Sequence, residues 1–507
     1  MIRTCSLGFL IAAPLFAQLG APSQGAPTKA QQLPLSGRPQ NGSVISVQTP
    51  TAGGGGSGSV NGINSSIQVQ GAYQGSVSGG SASAASKSLS LEEAVKMGMQ
   101  YNLGVIGATT TEAASRAQRL SALAQMLPDV TAGVRETVQQ INLAAQGFRI
   151  SVPGFSIPTV VGPFNTFDAR ASFSEGFSLT ALHNWRSTLD TVRAAQLSAR
   201  DSRDLVALAV SGAYLQIIST AARIQSQEAQ IETAKAVNQQ AIDRNRSGLN
   251  ARIDVNRSQV ELQNQQQRLT TLRTDFEKQK ITLARLIGLS LAQTFTLSDT
   301  ISTRDIPMPD IDDSIKHAMQ DRSDVKAAEA QVHAAENARK AAVAEAYPSV
   351  DVTADYGATG VTPSNQAHGT FSLTGAVRVP IFRSGRIRAD IDQADAVVKQ
   401  RKEEYEDARG RAEQEVRNAL LDLAAASQQL KVAESNRALA AETLQQSRDR
   451  FRAGVADTVE LVQAQESVAS ADQDFITAGY SLNLAQVSLA RAMGETEQGV
   501  ARLLRGK

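Results

Sequence analysis

The segment Arg450-Phe451-Arg452-Ala453-Gly454-Val455-Ala456-Asp457-Thr458-Val459-Glu460-Leu461 has an earlier counterpart, Asn245-Arg246-Ser247-Gly248-Leu249-Asn250-Ala251-Arg252-Ile253-Asp254-Val255. In both, a glycine stands six residues before a carboxylate, and long proline-free runs lie on either side. Glycine supplies the positive-φ position that ends a helix, and an acidic residue in the next first turn favours a helix N-terminus. Each copy therefore predicts a tight turn at the tip of a long helical hairpin.

The duplication extends well beyond the turns. Gly248 and Gly454 lie 206 residues apart, as do Asp254 and Glu460. After the first turn Val255, Leu262, Leu269, Phe276 and Leu283 recur at steps of seven; after the second, Leu461, Val468, Phe475, Leu482 and Leu489 do the same, again 206 apart. Such a sustained seven-residue period is a coiled-coil seam, and two copies in one register predict helices packed on helices.

At 507 residues the chain could fill several domains, but the repeat argues for one pseudo-symmetric body in two halves. The net charge of +1, with 20% charged residues, gives no electrostatic footprint for a nucleic-acid partner. Near the N-terminus, Arg3 precedes the apolar run Leu7–Phe16 and the small residue Ala17, so residues 1–21 read as a secretory signal peptide. The single cysteine, Cys5, lies inside it, which leaves no disulfide or thiol chemistry for the mature chain. Residues 22–88 are rich in Gly, Ser, Gln and Pro and are expected to be mostly disordered, with a weak strand-like alternation from Ser66 to Val77. The glycine run Gly53–Gly58 lacks the strand and helix that a dinucleotide site requires.

Order is expected from residue 89, with a first repeat over 89–306, a second over 307–497 and a tail at 498–507. Ser90 and Glu93 form a capping box for a helix running to Met126; its partner runs from near Ile311 to Ala346, 220 residues on. Leu127-Pro128 and Tyr347-Pro348 end these helices and open extended segments. Val350, Val352, Ala354 and Tyr356 then alternate with Asp351, Thr353 and Asp355. Phe371, Leu373, Val377, Val379 and Ile381 alternate with Ser372, Thr374 and Arg378. The first half has the same period of two in Val130–Arg135 and Phe167–Phe173, with Glu175 falling on the apolar side. A very long helix follows each strand pair; Arg186–Asn245 alone would extend about 90 Å.

The strands thus have one apolar and one charged face. A soluble sandwich would bury the apolar face, whereas a transmembrane barrel would turn it to lipid and keep charge on a wet lumen. Four strands cannot close a barrel, since the smallest has about eight, so a spanning sheet requires several chains.

Taken together, the two-fold repeat, the Leu-Pro and Tyr-Pro strand entries, Val379-Pro380-Ile381-Phe382 and the two glycine turns resemble the TolC family of outer-membrane efflux and secretion channels. The likeness covers about Leu89 to Gly494. It implies a mainly α fold with β: a homotrimer with four strands per chain in a 12-stranded transmembrane β-barrel, joined to a periplasmic α-barrel of long helical hairpins. It also implies a passive exit duct for a tripartite efflux or type I secretion system. Its partners would be a periplasmic adaptor, an inner-membrane pump and outer-membrane lipid. Carried over by motif, Arg246, Gly248, Leu249, Arg452, Gly454 and Val455 would form the adaptor-docking tips. Asp254 and Glu460 would lie near the aperture. Where some members carry a further Asp, this chain has Gln463, so a strongly acidic ring is not implied.

No Gly-x-Ser-x-Gly, phosphate loop or clustered metal ligands occur, and His183, His317, His333 and His368 are scattered; no enzyme activity, cofactor or metal is expected. The competing reading is a secreted periplasmic coiled-coil scaffold or adaptor without a pore, which would be soluble without detergent.

Overall fold

The computed structural model describes residues 42–51, 62–79, 87–145, 147, 151–152, 155–156, 158–248, 251–300, 307–362, 366–453, 455–456 and 458–496. In chain order the elements begin with β1 (Val44–Thr51), β2 (Gly62–Val69), β3 (Lys87–Leu89), α1 (Leu91–Tyr101) and α2 (Leu103–Ala124). They continue with β4 (Asp129–Asn142), β5 (Ser151–Val152), β6 (Phe155–Ser156), β7 (Val160–Phe177), α3 (Leu179–Arg246) and α4 (Arg252–Ile287). The second half holds β8 (Phe295–Leu297), α5 (Ile311–Asp321), α6 (Ser323–Ala344), β9 (Ser349–Gly360), β10 (His368–Arg378), α7 (Arg386–Arg452) and α8 (Thr458–Met493).

The repeat is visible element by element. Helices α1 and α5 have 11 residues each, α2 and α6 22 each, and α4 and α8 36 each, while α3 and α7 have 68 and 67. Ser90 caps α1 with the full capping box to Glu93, and Asp310 caps α5 through Asp312 and Asp313. The expected single helix in each half is broken at one internal residue, Asn102 or Arg322, both in extended conformation and 220 apart.

Spatially the chain falls into two units that interleave the repeats. The first takes in Ser121–Trp185 and Ala338–Gln393, the second Leu33–Leu120, Arg186–Asn337 and Ala394–Lys507, as far as these are described.

The first unit is built on a four-stranded antiparallel sheet in the order β10-β9-β7-β4. Its register puts Val130, Phe173, Ala354 and Leu373 in one row, and Ala132, Ala171, Tyr356 and Phe371 in another. Between them runs the polar row Thr131, Ser172, Asp355 and Ser372. Because side chains alternate across a strand, these rows are opposite faces. The polar face is knitted by ion pairs: Arg170 to Asp168 at 2.7 Å and to Asp355 at 3.0 Å, and Arg378 to Asp351 at 3.6 Å. Glu175 does fall on the apolar side, opposite Val352. One expectation is corrected: β10 ends at Arg378, so Val379 and Ile381 lie beyond the strand, where Pro380 offers no N–H to a ladder.

The second unit is helical. Its largest core gathers Leu91, Val95, Val206, Val210, Ile217 and Ile287 from the first repeat, with Leu484 and Val487 of α8. The Tyr214 hydroxyl lies 2.8 Å from both the Leu89 carbonyl and the Asp299 carboxylate, which share its one proton, and burial and that carboxylate raise its phenol pKa. The heptad residues point inward as the period requires: Leu262 and Leu283 in α4, and Leu461, Leu482 and Leu489 in α8, are buried.

Part of the segment expected to be disordered is folded. Strands β1 and β2 form an antiparallel hairpin, and Ile67 of β2 seats where Gly212 of α3 leaves space; an added Cβ there would overlap it. Tyr73 fills the notch at Gly104 in the same way, and its hydroxyl lies 3.2 Å from Ser202. The burial that orders these residues comes from α2 and α3, distant in sequence, and local composition does not encode it. The signal segment 1–21 and the tail 498–507 lie outside the described residues.

Candidate functional site

The hairpin tips belong to the helical unit. Helix α3 ends in Arg244-Asn245-Arg246, the Ser247 and Gly248 N–H groups bond back to the Asp243 and Asn245 carbonyls, and Gly248 takes φ of 67°. That left-handed residue stops the helix, as the sequence predicted. At the second tip Ala453 N–H bonds to the Asp449 carbonyl and Val455 N–H to that of Arg450. Leu249 and Gly454 lie outside the described residues. Arg246, Arg452 and Val455 are all exposed.

Both carboxylates sit in the first turns of their helices, Asp254 in α4 and Glu460 in α8, where the helix dipole favours negative charge. They differ in their neighbours. Glu460 pairs with Arg450 across its own turn at 3.3 Å, while Asp254 makes no ion pair among the described residues.

Two features of the tips escaped the sequence reading. Arg244 of α3 reaches the other hairpin: its Nη2 donates to the Phe451 carbonyl at 2.8 Å, and its guanidinium lies 4.3 Å from the Phe451 ring centre. The carbonyls of a helix C-terminus attract a cation, so this arginine ties the two tips together. Beneath it Val237, Leu444, Phe451 and Leu461 form a small shared core. The second feature is a groove of about 490 Å³ between α4 and α8, lined by Ile253, Val260, Arg257 and Glu261 on one side and Val459 and Val462 on the other. Ile253 and Val260 are exposed and seven residues apart. They form a second apolar row displaced by two from the buried heptad, and that displacement was the available signal.

Elsewhere in the helical unit lies an ionic cluster built around the buried Arg322 and Arg491. The Arg322 guanidinium, 1% exposed, forks onto Asp324 at 2.8 and 3.0 Å and pairs with Glu415 of α7 at 2.6 Å. Beside it Arg491 of α8 is paired with Asp201 of α3. Burial opposes ionisation of Asp324, but the Arg322 hydrogen bonds and charge prevail and hold its carboxyl at about 2. At Asp201 burial prevails and pushes the carboxyl up, with Arg491 opposing. His317 sits between Glu495 at 2.6 Å and Asp321 at 3.2 Å. Among the described residues no group of His, Cys, Asp and Glu is arranged to hold a metal.

A two-faced four-stranded sheet and two tandem helical hairpins in one chain are the components of an outer-membrane channel protomer. Comparison with known proteins bears this out. Residues 314–495 match the outer membrane efflux protein family. The pyoverdine export outer membrane protein OpmQ of Pseudomonas putida is 24% identical over 401 residues, covering 78% of this chain and 83% of OpmQ. Among solved structures, the Campylobacter jejuni CmeC outer membrane channel superposes with a TM-score of 0.69 at 16% identity, over 80% of this chain and 86% of that one. The Vibrio cholerae outer membrane protein VceC gives 0.66 at 18%, over 80% and 96%. The chain has the fold of these outer-membrane channels, and over residues 314–495 it carries the sequence pattern of the outer membrane efflux protein family.

Proposed function

We propose that three copies of this chain close one 12-stranded barrel and together form the exit duct of a tripartite efflux or secretion system. The observation that carries this is the sheet: β10 and β4 are its open edges, one face is apolar, and the other is ion-paired. An open edge in hydrocarbon leaves backbone groups without partners, so neighbouring copies must complete the ladder. A periplasmic adaptor docks on the tips through Arg246, Gly248, Leu249, Arg452, Gly454 and Val455, and couples the duct to an inner-membrane pump. The exposed apolar groove between α4 and α8 supports docking there.

Asp254 and Glu460 line the closed aperture in this reading, and Arg244 holds the tips shut. Adaptor binding opens them by favouring the parted state. Relatives are named for pyoverdine export, cation efflux and toluene efflux, so the duct is the common element and the cargo differs. Conduction is passive, with no chemical step in this chain.

The test is a pair of turn variants. Gly248→Asp and Gly454→Asp should abolish export in cells while detergent-extracted trimers persist on native gels. Loss of the trimers in both would assign the turns to folding and remove them from the docking surface.

A further inference from the structure

The register of the sheet fixes the height of every charge on its polar face. Asp129, Asp168, Asp351 and Asp355 lie on that face, with Arg135, Arg170 and Arg378. The three guanidinium groups leave an excess of one carboxylate per chain. Arg378 and Asp351 pair at the end of the sheet that leads into the helices. Arg170 stands further along, in the row Gly133, Arg170, Gly357 and Thr370. One adjoining row holds Asp355 and the other Asp168. Its neighbours on both flanking strands are therefore glycines. At Gly357 an added Cβ would lie 2.5 Å from the Arg170 Cβ, and at Gly133 it would meet nothing within 4 Å. No side chain on β4 or β9 competes with Arg170 for the space beside it.

The guanidinium uses that room. Its Nε donates to Asp168 Oδ1 at 2.7 Å, along the same strand, and its Nη1 to Asp355 Oδ1 at 3.0 Å. Asp355 is the diagonal neighbour on β9, reached past Gly357, and such neighbours lie within range of a long side chain. The other oxygen of Asp355 accepts from the Ser372 hydroxyl of β10. Among the described residues no bond reaches Arg170 Nη2, and the side chain is 38% exposed on the polar face. Arg135, opposite Asp168 on β4, makes no ion pair among the described residues. Arg170 is thus the one cation that binds two carboxylates of this face. Without it both would stand bare, and the excess would be two carboxylates per chain.

We propose that Arg170 sets the charge preference of the barrel lumen. Shared between Asp168 and Asp355, it holds the middle of the polar face close to neutral, so the barrel passes charged solutes of either sign. Rings of side-chain charge select ions by sign, and a barrel stripped of this arginine selects cations. The assignment rests on the reading that the polar face encloses a water-filled pore. In a three-copy barrel the same residue recurs three times at one height, which multiplies the effect of a single substitution.

Reversal potentials of the full-length protein in planar bilayers, under a KCl gradient, give the ratio of potassium to chloride permeability whatever the number of channels. Solutions of about 0.1 M or less keep the Debye length at about 10 Å or more, so the lumen charges stay visible. Arg170→Gln should raise the ratio about threefold over the natural chain. Arg170→Lys, which keeps the charge and loses the fork, should leave it unchanged, and Asp355→Asn should lower it. No change in Arg170→Gln, or equal shifts in the Gln and Lys variants, would overturn the assignment and leave Arg170 as a tie within the sheet. Access to the pore is read separately. Cys5 is the single cysteine, so a Cys5→Ser background allows one thiol at a time. A cationic, membrane-impermeant methanethiosulfonate should cut the current of Thr131→Cys, on the polar face, and spare Leu373→Cys, on the apolar one. Block at Thr131→Cys together with an inert Arg170→Gln would sink the role of Arg170 alone. No block there would remove the pore reading and the proposal with it.

Discussion

Asn102 and Arg322 occupy the same place in the two repeats and perform the same task with different chemistry. Each interrupts a helix, and each sends a side-chain N–H to a carbonyl in the last turn of the second hairpin helix. Asn102 Nδ2 lies 3.3 Å from the Leu286 oxygen and Arg322 Nη1 3.4 Å from that of Ala492, carbonyls 206 residues apart. Asn102 is neutral, and its second Nδ2 bond, 2.8 Å long, goes to the Tyr73 carbonyl of the N-terminal segment. Its oxygen accepts from Gly104 N–H at 2.8 Å and so starts α2. Among the described residues of that segment none bonds to Arg322, which is held by Asp324 and Glu415 instead. The duplicated scaffold has therefore kept a geometry and exchanged its chemistry. The first joint is completed by residues from outside the repeat, and the second is self-contained but depends on buried charge.

That contrast can be broken by substitution. Arg322→Ala should have the largest effect, because it removes a buried guanidinium that ties half-buried Asp324 to Glu415 and to the Ala492 carbonyl, at a cost of about 3 kcal/mol after allowing for the solvent that reaches Asp324. Asn102→Ala removes hydrogen bonds without stranding a charge, and should cost about 1–3 kcal/mol. Denaturant unfolding of the purified protein would rank the two; equal costs would mean that the charge network adds nothing beyond geometry. A smaller effect concerns pH. The Asp324 carboxyl is lowered from 3.8 to about 2 in the folded chain, so its stabilisation is complete above 3.8 and is lost as pH falls towards 2. The stability gap between the natural chain and Asp324→Asn should close over that window. Asp201, whose carboxyl is raised by burial and in part by the Asp324 charge, contributes a slope of opposite sign that Asp324→Asn lessens. A gap that stayed constant with pH would mean Asp324 is not ionised against Arg322. Tyr73→Phe removes one exchangeable hydrogen bond to Ser202 and should cost about 1 kcal/mol, confined to the first joint.

The comparison also shows what was legible in the sequence. The hairpins were, because glycine turns and a seven-residue period are local signals: Gly248 has the expected positive φ, and Leu262, Leu283, Leu461, Leu482 and Leu489 are buried. The sheet was legible too, since alternation of Val130–Arg135 and Val350–Tyr356 is a property of neighbouring residues, and the observed register sorts them onto two faces. The breaks at Asn102 and Arg322 were not, as both residues are compatible with a helix and their partners come from elsewhere in the chain. Residues 44–51 and 62–79 lie in a tract expected to be mostly disordered, with only a weak alternation from Ser66 to Val77, because nothing in their composition indicates that Gly212 and Gly104 provide the notches into which Ile67 and Tyr73 fit. At the tips, the spacing placed Asp254 and Glu460 near helix starts, and both lie in first turns, but Arg244 was not legible because its contact depends on the last turn of α7 being close by.

The central claim is that several copies of a four-stranded sheet enclose one water-filled pore. Ionic current through planar lipid bilayers doped with detergent-purified protein tests it most directly. Discrete conductance steps from the trimer fraction are predicted, with Arg244→Ala increasing the time spent open. A protein that stays monomeric without detergent and passes no current would contradict the claim.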